Sequence, residues 1–295
     1  MSEAHAHQPS KQIQRIIAAA DQIRTDPITG ERAFLPAPLC QVALPRSDTE
    51  EREFLRQSGP AWIYVQAGVI DEGKGPVLQP LPSGAMPRVI LAHLSTYAVR
   101  HRTREIPIGQ TPAEFLRIMG MDAQGARYAT LRRQMPALAA CRMQLGCRGR
   151  TINRGFVETF DAWLPERELR QGERSLWPGV LLLCESFYSG LTESAVPLDA
   201  RAIRALQKSA LALDLYAWLA YRLHVIDGRV LLHWHALRQQ FGQDYLGKNA
   251  GKDFQRSFVP ALAKVLAVYP EARVKPVPGG LLLTGSPPPV PPRTR

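Results

Sequence analysis

The chain is short of the residues on which many enzyme and secreted classes depend. Its four cysteines, Cys40, Cys141, Cys147 and Cys184, are scattered with no C-x-x-C pair. That spacing excludes a disulfide scaffold and a cysteine/histidine zinc site, and it predicts reduced, mostly buried thiols of a cytoplasmic protein. No apolar run approaches the ~20 residues that a membrane span needs, so no membrane partner is expected. Residues 1–10 are polar and no apolar core follows them, so no secretory signal is expected either. There is no H-E-x-x-H and no Ser-His-Asp order, and Asp161, Glu166 and Glu168 are scattered around a turn. The reading is a binder rather than an enzyme, with no cofactor and no metal. Acid is also scarce beside base: 26 Asp and Glu face 37 Lys and Arg, for a formal charge of +11. Arginine carries most of the excess, which points to an anionic partner, with nucleic acid favoured.

What is present is organised around residues 197–232. Leu211, Leu215, Trp218, Leu219 and Arg222 fall at i, i+4, i+7, i+8 and i+11, with Tyr216 and Tyr221 on the flanks. This is the stripe of a core helix. Asp227-Gly228 breaks it, and Val230-Leu231-Leu232 reads as a short buried strand. The same order stands upstream. A helix is predicted over 86–104, a strand at Ile106-Pro107-Ile108, and a helix over 112–119 with Thr111 and Glu114 as a capping box. A further helix is predicted over 123–140. Segments 142–145 and 156–163 then read as a two-strand ribbon across a loop at 146–155.

Shifting the numbering by 124 brings Leu91, Leu94 and Tyr97 onto Leu215, Trp218 and Tyr221, and Ile106 and Ile108 onto Val230 and Leu232. Met135-Pro136-Ala137-Leu138 falls on Val259-Pro260-Ala261-Leu262, and Gly120 pairs with Gly242 once two residues are inserted. Helix, strand, helix, turn, helix and ribbon is the order of a winged helix. The predicted class is therefore α+β, with tandem winged-helix domains behind an N-terminal extension. The expected boundaries are an extension over 1–79, a first domain with its linker over 80–178, a second over 179–287, and a disordered Pro-rich tail over 288–295. Residues 179–185 read as a further strand pairing across the domains. In the extension, Ile13, Ile16, Ile17, Ala20 and Ile23 form one stripe that docks either on the body or on a partner.

In a helix-turn-helix the helix after the turn enters the major groove, and its first turns reach base edges. In the second domain that helix begins near Lys248 and presents Lys248, Asn249, Lys252, Gln255 and Arg256. Arginine suits guanine edges, Asn and Gln suit adenine, and Lys suits phosphate. In the first domain it presents Arg127, Thr130, Arg133 and Gln134. Residues 123–154 hold seven Arg, among them Arg132, Arg148 and Arg150, and no acid. A solvated face usually mixes signs, so this stretch is the clearest phosphate-binding signal. A second ribbon is predicted over 272–275 and 281–284 around Pro278-Gly279-Gly280, and Lys275 is its one obvious cation. Pro136 and Pro260 either kink the two recognition helices or begin new segments.

Two other motifs compete. Residues 242–249 nearly match G-x-x-x-x-G-K-[ST], but a predicted helix precedes them and Asn249 replaces the hydroxyl. His233-Trp234-His235 followed by Tyr245 resembles the metal site and nucleophile of rolling-circle nicking enzymes. Only ten residues separate His235 from Tyr245, and both motifs fall on the helix-turn-helix of the repeat.

Pro87-Arg88 opening a helix, GQTPAEFLRIMG at 109–120, GARYATLRRQM at 125–135, the whole of 197–222 and LAVYPEAR at 266–273 resemble the plasmid-encoded RepA replication-initiator family. The likeness runs from about 80 to about 290. It implies a protein that binds double-stranded DNA at short direct repeats in its own origin and helps melt adjacent AT-rich DNA. It also implies monomers at the origin, dimers in repression, and the host replication initiator and replicative helicase as partners. A repressor of the same architecture is the alternative, with the nicking enzyme behind it. Gly125-Ala126-Arg127 departs from an expected Gly-Gly-Arg turn, which predicts a tighter start to the first recognition helix.

Overall fold

The computed structural model describes residues 10–26, 32–71, 75–147, 149–161, 163 and 179–291, a mixed helix and sheet structure. In chain order it opens with α1 (Lys11–Thr25), β1 (Arg32–Pro36) and α2 (Ala37–Gln41). Two hairpins follow, β2 (Glu53–Ser58) with β3 (Ala61–Gln66) and β4 (Val69–Asp71) with β5 (Pro76–Leu78). Next come α3 (Ala85–His101), β6 (Glu105–Pro107), α4 (Pro112–Ile118) and α5 (Ala126–Ala140). Strands β7 (Arg142–Cys147), β8 (Arg150–Gly155), β9 (Val157–Phe160) and β10 (Val180–Leu183) lead to α6 (Glu185–Ser194), β11 (Ala195–Asp199) and α7 (Ala200–Leu206). The chain ends with α8 (Ala210–Arg222), β12 (Arg229–His233), α9 (Trp234–Phe241), α10 (Ala250–Val268), β13 (Arg273–Val277) and β14 (Gly280–Thr284).

Helix α8 is buried all round, from Leu211 to Ala220, as a helix that is apolar on every face must be. Ser209 caps it by accepting from the backbone N–H of Ala212 at 3.2 Å. Helices α3, α10 and α2 pack around it. Behind α8, strands β12, β14 and β13 form an antiparallel sheet in that order, with Leu231 opposite Leu282 and Leu282 opposite Lys275.

The upstream elements repeat this plan. Strands β6 and β12 start at Glu105 and Arg229, and α5 and α10 start at Ala126 and Ala250, the same spacing of 124 in both cases. Thr111 caps α4 by accepting from Glu114 N at 3.1 Å, while the Glu114 carboxylate accepts from Gln110 N at 2.8 Å. Replacing Thr111 with Ala should lower stability by about 1 kcal/mol, read as a lower urea midpoint with an unchanged slope.

The expected ribbon is corrected. The first three-stranded sheet has the order β6-β10-β9, so β10 closes this sheet and does not pair across to the second. Strand β7 does not meet residues 156–163. It turns straight back into β8, with Cys147 opposite Arg150, and joins β2 and β3 in a four-stranded sheet of order β2-β3-β7-β8. Two glycines made the hairpin look like a loop. Gly149 serves the turn, with φ +83°. Gly146 lies beneath the Trp62 indole, where an added Cβ would sit 2.1 Å from Cε2, and this is a reason for glycine inside a strand.

The residues before 80 are woven into both repeats. Strand β1 pairs with β11, Arg32 opposite Asp199. Helix α1 docks on the body through Ile16, Ala20 and Ile23, leaving Ile13 and Ile17 exposed. At the other end, Val290 is buried and the Tyr269 hydroxyl donates to the carbonyl of Pro287 at 2.7 Å. The stretch expected to be a disordered tail is therefore packed as far as it is described. The linker expected over 164–177 lies outside the described residues.

An ionic cluster, buried around Asp214 and reaching the surface at Asp244, ties these parts together. Arg88 of α3 grips Asp214 of α8 through two bonds, Nε to Oδ1 at 2.5 Å and Nη2 to Oδ2 at 3.0 Å. Arg46 reaches the same carboxylate at 3.0 Å and also bonds Asp244 at 3.3 Å. Arg56 of β2 donates from Nη2 to both carboxylate oxygens of Asp244, at 3.0 and 3.1 Å. Burial alone would raise the Asp214 carboxyl, but the guanidiniums of Arg88, Arg46 and Arg56 overrule it and hold the group below its ordinary range. Burial and the neighbouring Arg46 bring Arg56 down to about 10.

Candidate nucleic-acid interface

Helix α10 divides cleanly by periodicity. Ala250, Phe254, Phe258, Ala261, Leu262, Val265 and Val268 are buried, and the Phe254 and Phe258 rings pack at a tilt of 55° with centroids 5.2 Å apart. The opposite side carries exposed Lys252 and Arg256 with half-buried Gln255 between them, all within one helical turn. Lys248 and Asn249 are exposed just ahead of it, and Asn249 is the N-cap residue with its side chain free of capping duty. Arg256 makes an exposed ion pair to Asp253 at 3.3 Å, the kind of surface pair that holds a side chain only loosely.

The turn before α10 has its own constraint. Gly242 ends α9 where a Cβ would meet Arg238 Cγ at 2.7 Å and Phe254 Cδ2 at 2.8 Å. Its repeat partner, Gly120, is needed for a different reason, a φ of +67° in open space. On the sheet, Lys275 is exposed. Sequence reading passed over Arg273, which is also exposed, two residues away on the same face of β13. The i, i+2 alternation of a strand was the signal that could have found it.

Helix α5 is less free than its sequence suggests. Arg132 is exposed, and Thr130 is exposed with its hydroxyl donating to Ala126 O at 2.7 Å. Half-buried Arg127 donates to Asp122 O at 3.4 Å. Gln134 is corrected: it is buried, accepting from Ser83 N at 2.8 Å and donating to Ser83 Oγ at 3.3 Å, so it supports the fold and reaches no base. Arg133 is half-exposed and paired to Asp48 at 2.5 Å. The Ser83 hydroxyl and Arg133 together hold the Asp48 carboxyl below its ordinary range. The one-sign stretch thus receives an acid from 85 residues away. Arg148 lies outside the described residues, and Arg150 stands on β8 with its side chain outside them.

The two prolines do not end their helices. Pro136 lies inside α5 and Pro260 inside α10. Each lacks the N–H that would bond the carbonyl four residues earlier, which belongs to Arg132 in one helix and Arg256 in the other. Gly125 takes up the demanding conformation at the start of α5, with φ +58°. Ala126 behind it is already helical, so the departure from Gly-Gly-Arg falls where alanine fits.

Of the competing motifs, residues 242–249 follow helix α9 rather than a strand. His233 and His235 are exposed. The Tyr245 ring packs on Phe254 at 5.7 Å between centroids, and its carbonyl accepts from Arg238 Nη2 at 3.4 Å. Among the described residues no group of three or more His, Cys, Asp or Glu is placed to hold a metal ion. No described helix is long and apolar enough to cross a membrane. All four cysteines are free thiols.

Freeing Arg133 gives a direct test of this electrostatic picture. Asp48→Asn should raise affinity for any duplex and steepen the salt dependence by about one unit of log slope, measured by anisotropy between 50 and 200 mM salt.

Comparison with known proteins places the chain. The family described as plasmid-encoded RepA protein matches residues 81–233. No curated protein matches. Two crystal structures of domains 2 and 3 of RctB, one of them a selenomethionine derivative, each cover 82% of this chain at a TM-score of 0.48. They are 14% and 13% identical to it, over 89% and 85% of their own length.

Proposed function

Because the chain belongs to the plasmid-encoded RepA family, we propose that it initiates plasmid replication by binding duplex repeats in its own origin through two winged-helix units. The observation that carries this reading is the exposed face of α10, where Lys252, Gln255 and Arg256 stand within one turn above a fully buried apolar face. A helix placed after a tight turn and offering Arg and Gln at that spacing suits base edges in the major groove. Lys248, Asn249, Lys275 and Arg273 flank it with phosphate-binding groups.

The first unit supplies affinity more than discrimination. Arg127, Thr130 and Arg132 on α5 contact phosphates, joined by Arg150 on the adjoining strand β8, while Arg133 is shared with Asp48. Two units in one packed body suit successive grooves on one face of a site of about two helical turns. Opening of the duplex then comes from bending and from side-by-side copies, at a cost that AT-rich DNA keeps low.

The test is a strand-resolved footprint on supercoiled plasmid carrying DNA around the gene, with manganese present. Regularly spaced protection beside distorted AT-rich DNA, with both strands intact, is the expected result. A single protected palindrome would replace this reading with a repressor. A metal-dependent nick lost in Tyr245→Phe would replace it with a nicking enzyme built on His233, His235 and Tyr245.

A further inference from the structure

Strand β12 is an edge strand: among the described strands it pairs only with β14. Two backbone bonds set the phase of that pairing. Trp234 N donates to Gly279 O at 3.1 Å, and Gly285 N donates to Gly228 O at 3.1 Å. Antiparallel partners exchange hydrogen bonds at alternate residues, so Gly228, Val230, Leu232 and Trp234 face β14. The N–H and C=O groups of Arg229, Leu231 and His233 therefore point to the free edge.

Beside that edge lies an open groove of about 960 Å³ bounded by α8, α9 and the tip of the β2–β3 hairpin. Its apolar wall includes Trp218, Tyr221, Val230 and Leu232. Arg222 lines the same groove with its Nε buried and without a hydrogen-bond partner. Its guanidinium lies 5.8 Å from the centre of the Trp218 ring, and burial lowers its pKa from the usual arginine value. Asp227 also lines the groove and is exposed, as is Arg229 on the edge. Leu231 is 44% and Val225 68% exposed beside them.

We propose that this edge and groove dock an extended, acidic segment of a partner protein, which adds to β12 as a further strand and sets a carboxylate on Arg222. Unpaired strand groups call for another strand, which a duplex cannot supply. The five residues of β12 span about 17 Å, enough for a short peptide. Arg222 and Asp227 are the charged residues of the groove lining, and the buried atom left without a partner there is the cationic Arg222 Nε, which calls for an acceptor, so the site favours an acidic strand over a basic one.

The probe is a fluorescein-labelled peptide of about eight residues alternating Asp and Val. Twins N-methylated at alternate amides, in both phases, remove the strand hydrogen bonds. Titrated against the full chain by anisotropy, the parent peptide should bind saturably. One of the twins, and the parent peptide on R222Q protein, should bind about ten-fold more weakly or worse, while R222Q binds duplex DNA as before. Amide exchange at Leu231 and His233 should slow when the parent peptide is added. Absence of saturable binding, equal binding of the parent and both twins, or unchanged binding to R222Q would overturn the proposal. So would protection of Leu231 and His233 by duplex alone, because the edge would then be part of the DNA surface.

Discussion

Asp214→Asn should destabilise the protein by roughly 3–5 kcal/mol, the usual cost of removing one partner from a buried ion pair, and should lower the melting temperature on the order of 10 °C. Asparagine keeps the shape and can still accept a hydrogen bond, so the loss reports the missing charge. Arg88 and Arg46 would remain in place, with side chains 8% and 9% exposed, and without the carboxylate they share. Asp244 already meets Arg46 at 3.3 Å beside its two bonds from Arg56, so the arginine left without any carboxylate is Arg88. Arg88 belongs to α3 and Asp214 to α8, so the variant should also loosen one repeat from the other, visible as faster limited proteolysis. The double variant R88M/D214L should recover part of the loss, because an apolar pair of similar volume avoids the desolvation of two charges.

The same carboxylate gives the pH dependence its sign. The Asp214 group is held below its ordinary value in the folded protein. Its contribution is complete above the unfolded carboxyl value, near 3.9, and is lost as pH falls through the lower folded value. The native protein should therefore lose stability steeply below about pH 4, and the stability of D214N should change less over that window. Denaturant titrations at pH 3 to 7 would measure both curves. Equal acid sensitivity in the two proteins would remove Asp214 as the cause.

Much of the scaffold was legible in the sequence because it rests on local rules. The core stripe of α8, the Thr111 and Glu114 cap and the 124-residue spacing are properties of short windows or of a window compared with its copy. What was not legible depends on distant residues. Asp214 sits between Leu213 and Leu215 in an otherwise apolar helix, a warning that a buried charge needs partners, yet nothing local names Arg46 or Arg88. Asp48 neutralises Arg133 across 85 residues, so a charge count along the chain overstated the free cations of α5. The hairpin β7–β8 was missed for a third reason. Gly146 reads as a breaker until Trp62, on the neighbouring strand, is seen to occupy the space of its side chain. Lys252, Gln255 and Arg256 share one side of α10, opposite the buried side that the apolar spacing of the sequence already marks.

Arg256→Ala and Arg132→Ala should give opposite signatures although the two arginines hold equivalent positions, each four residues before an internal proline. Arg256 lies on α10 beside Gln255, and in the function proposed above its bidentate contact to one guanine would contribute about 1–3 kcal/mol of discrimination. Its neighbour Asp253, 3.3 Å away, screens its long-range pull on phosphates but leaves its donors free to rotate toward a base. Its loss should therefore flatten preference at one base pair while barely changing the salt slope. Arg132 is exposed on α5, and no hydrogen bond or ion pair holds it among the described residues. Its loss should weaken every duplex alike and reduce the salt slope by about one. Binding of a site library with one position randomised at a time, repeated between 50 and 200 mM salt, separates the two effects. Relaxed preference in R132A with a uniform loss in R256A would exchange the roles of the two helices, making the first unit the reader of sequence and the second its anchor.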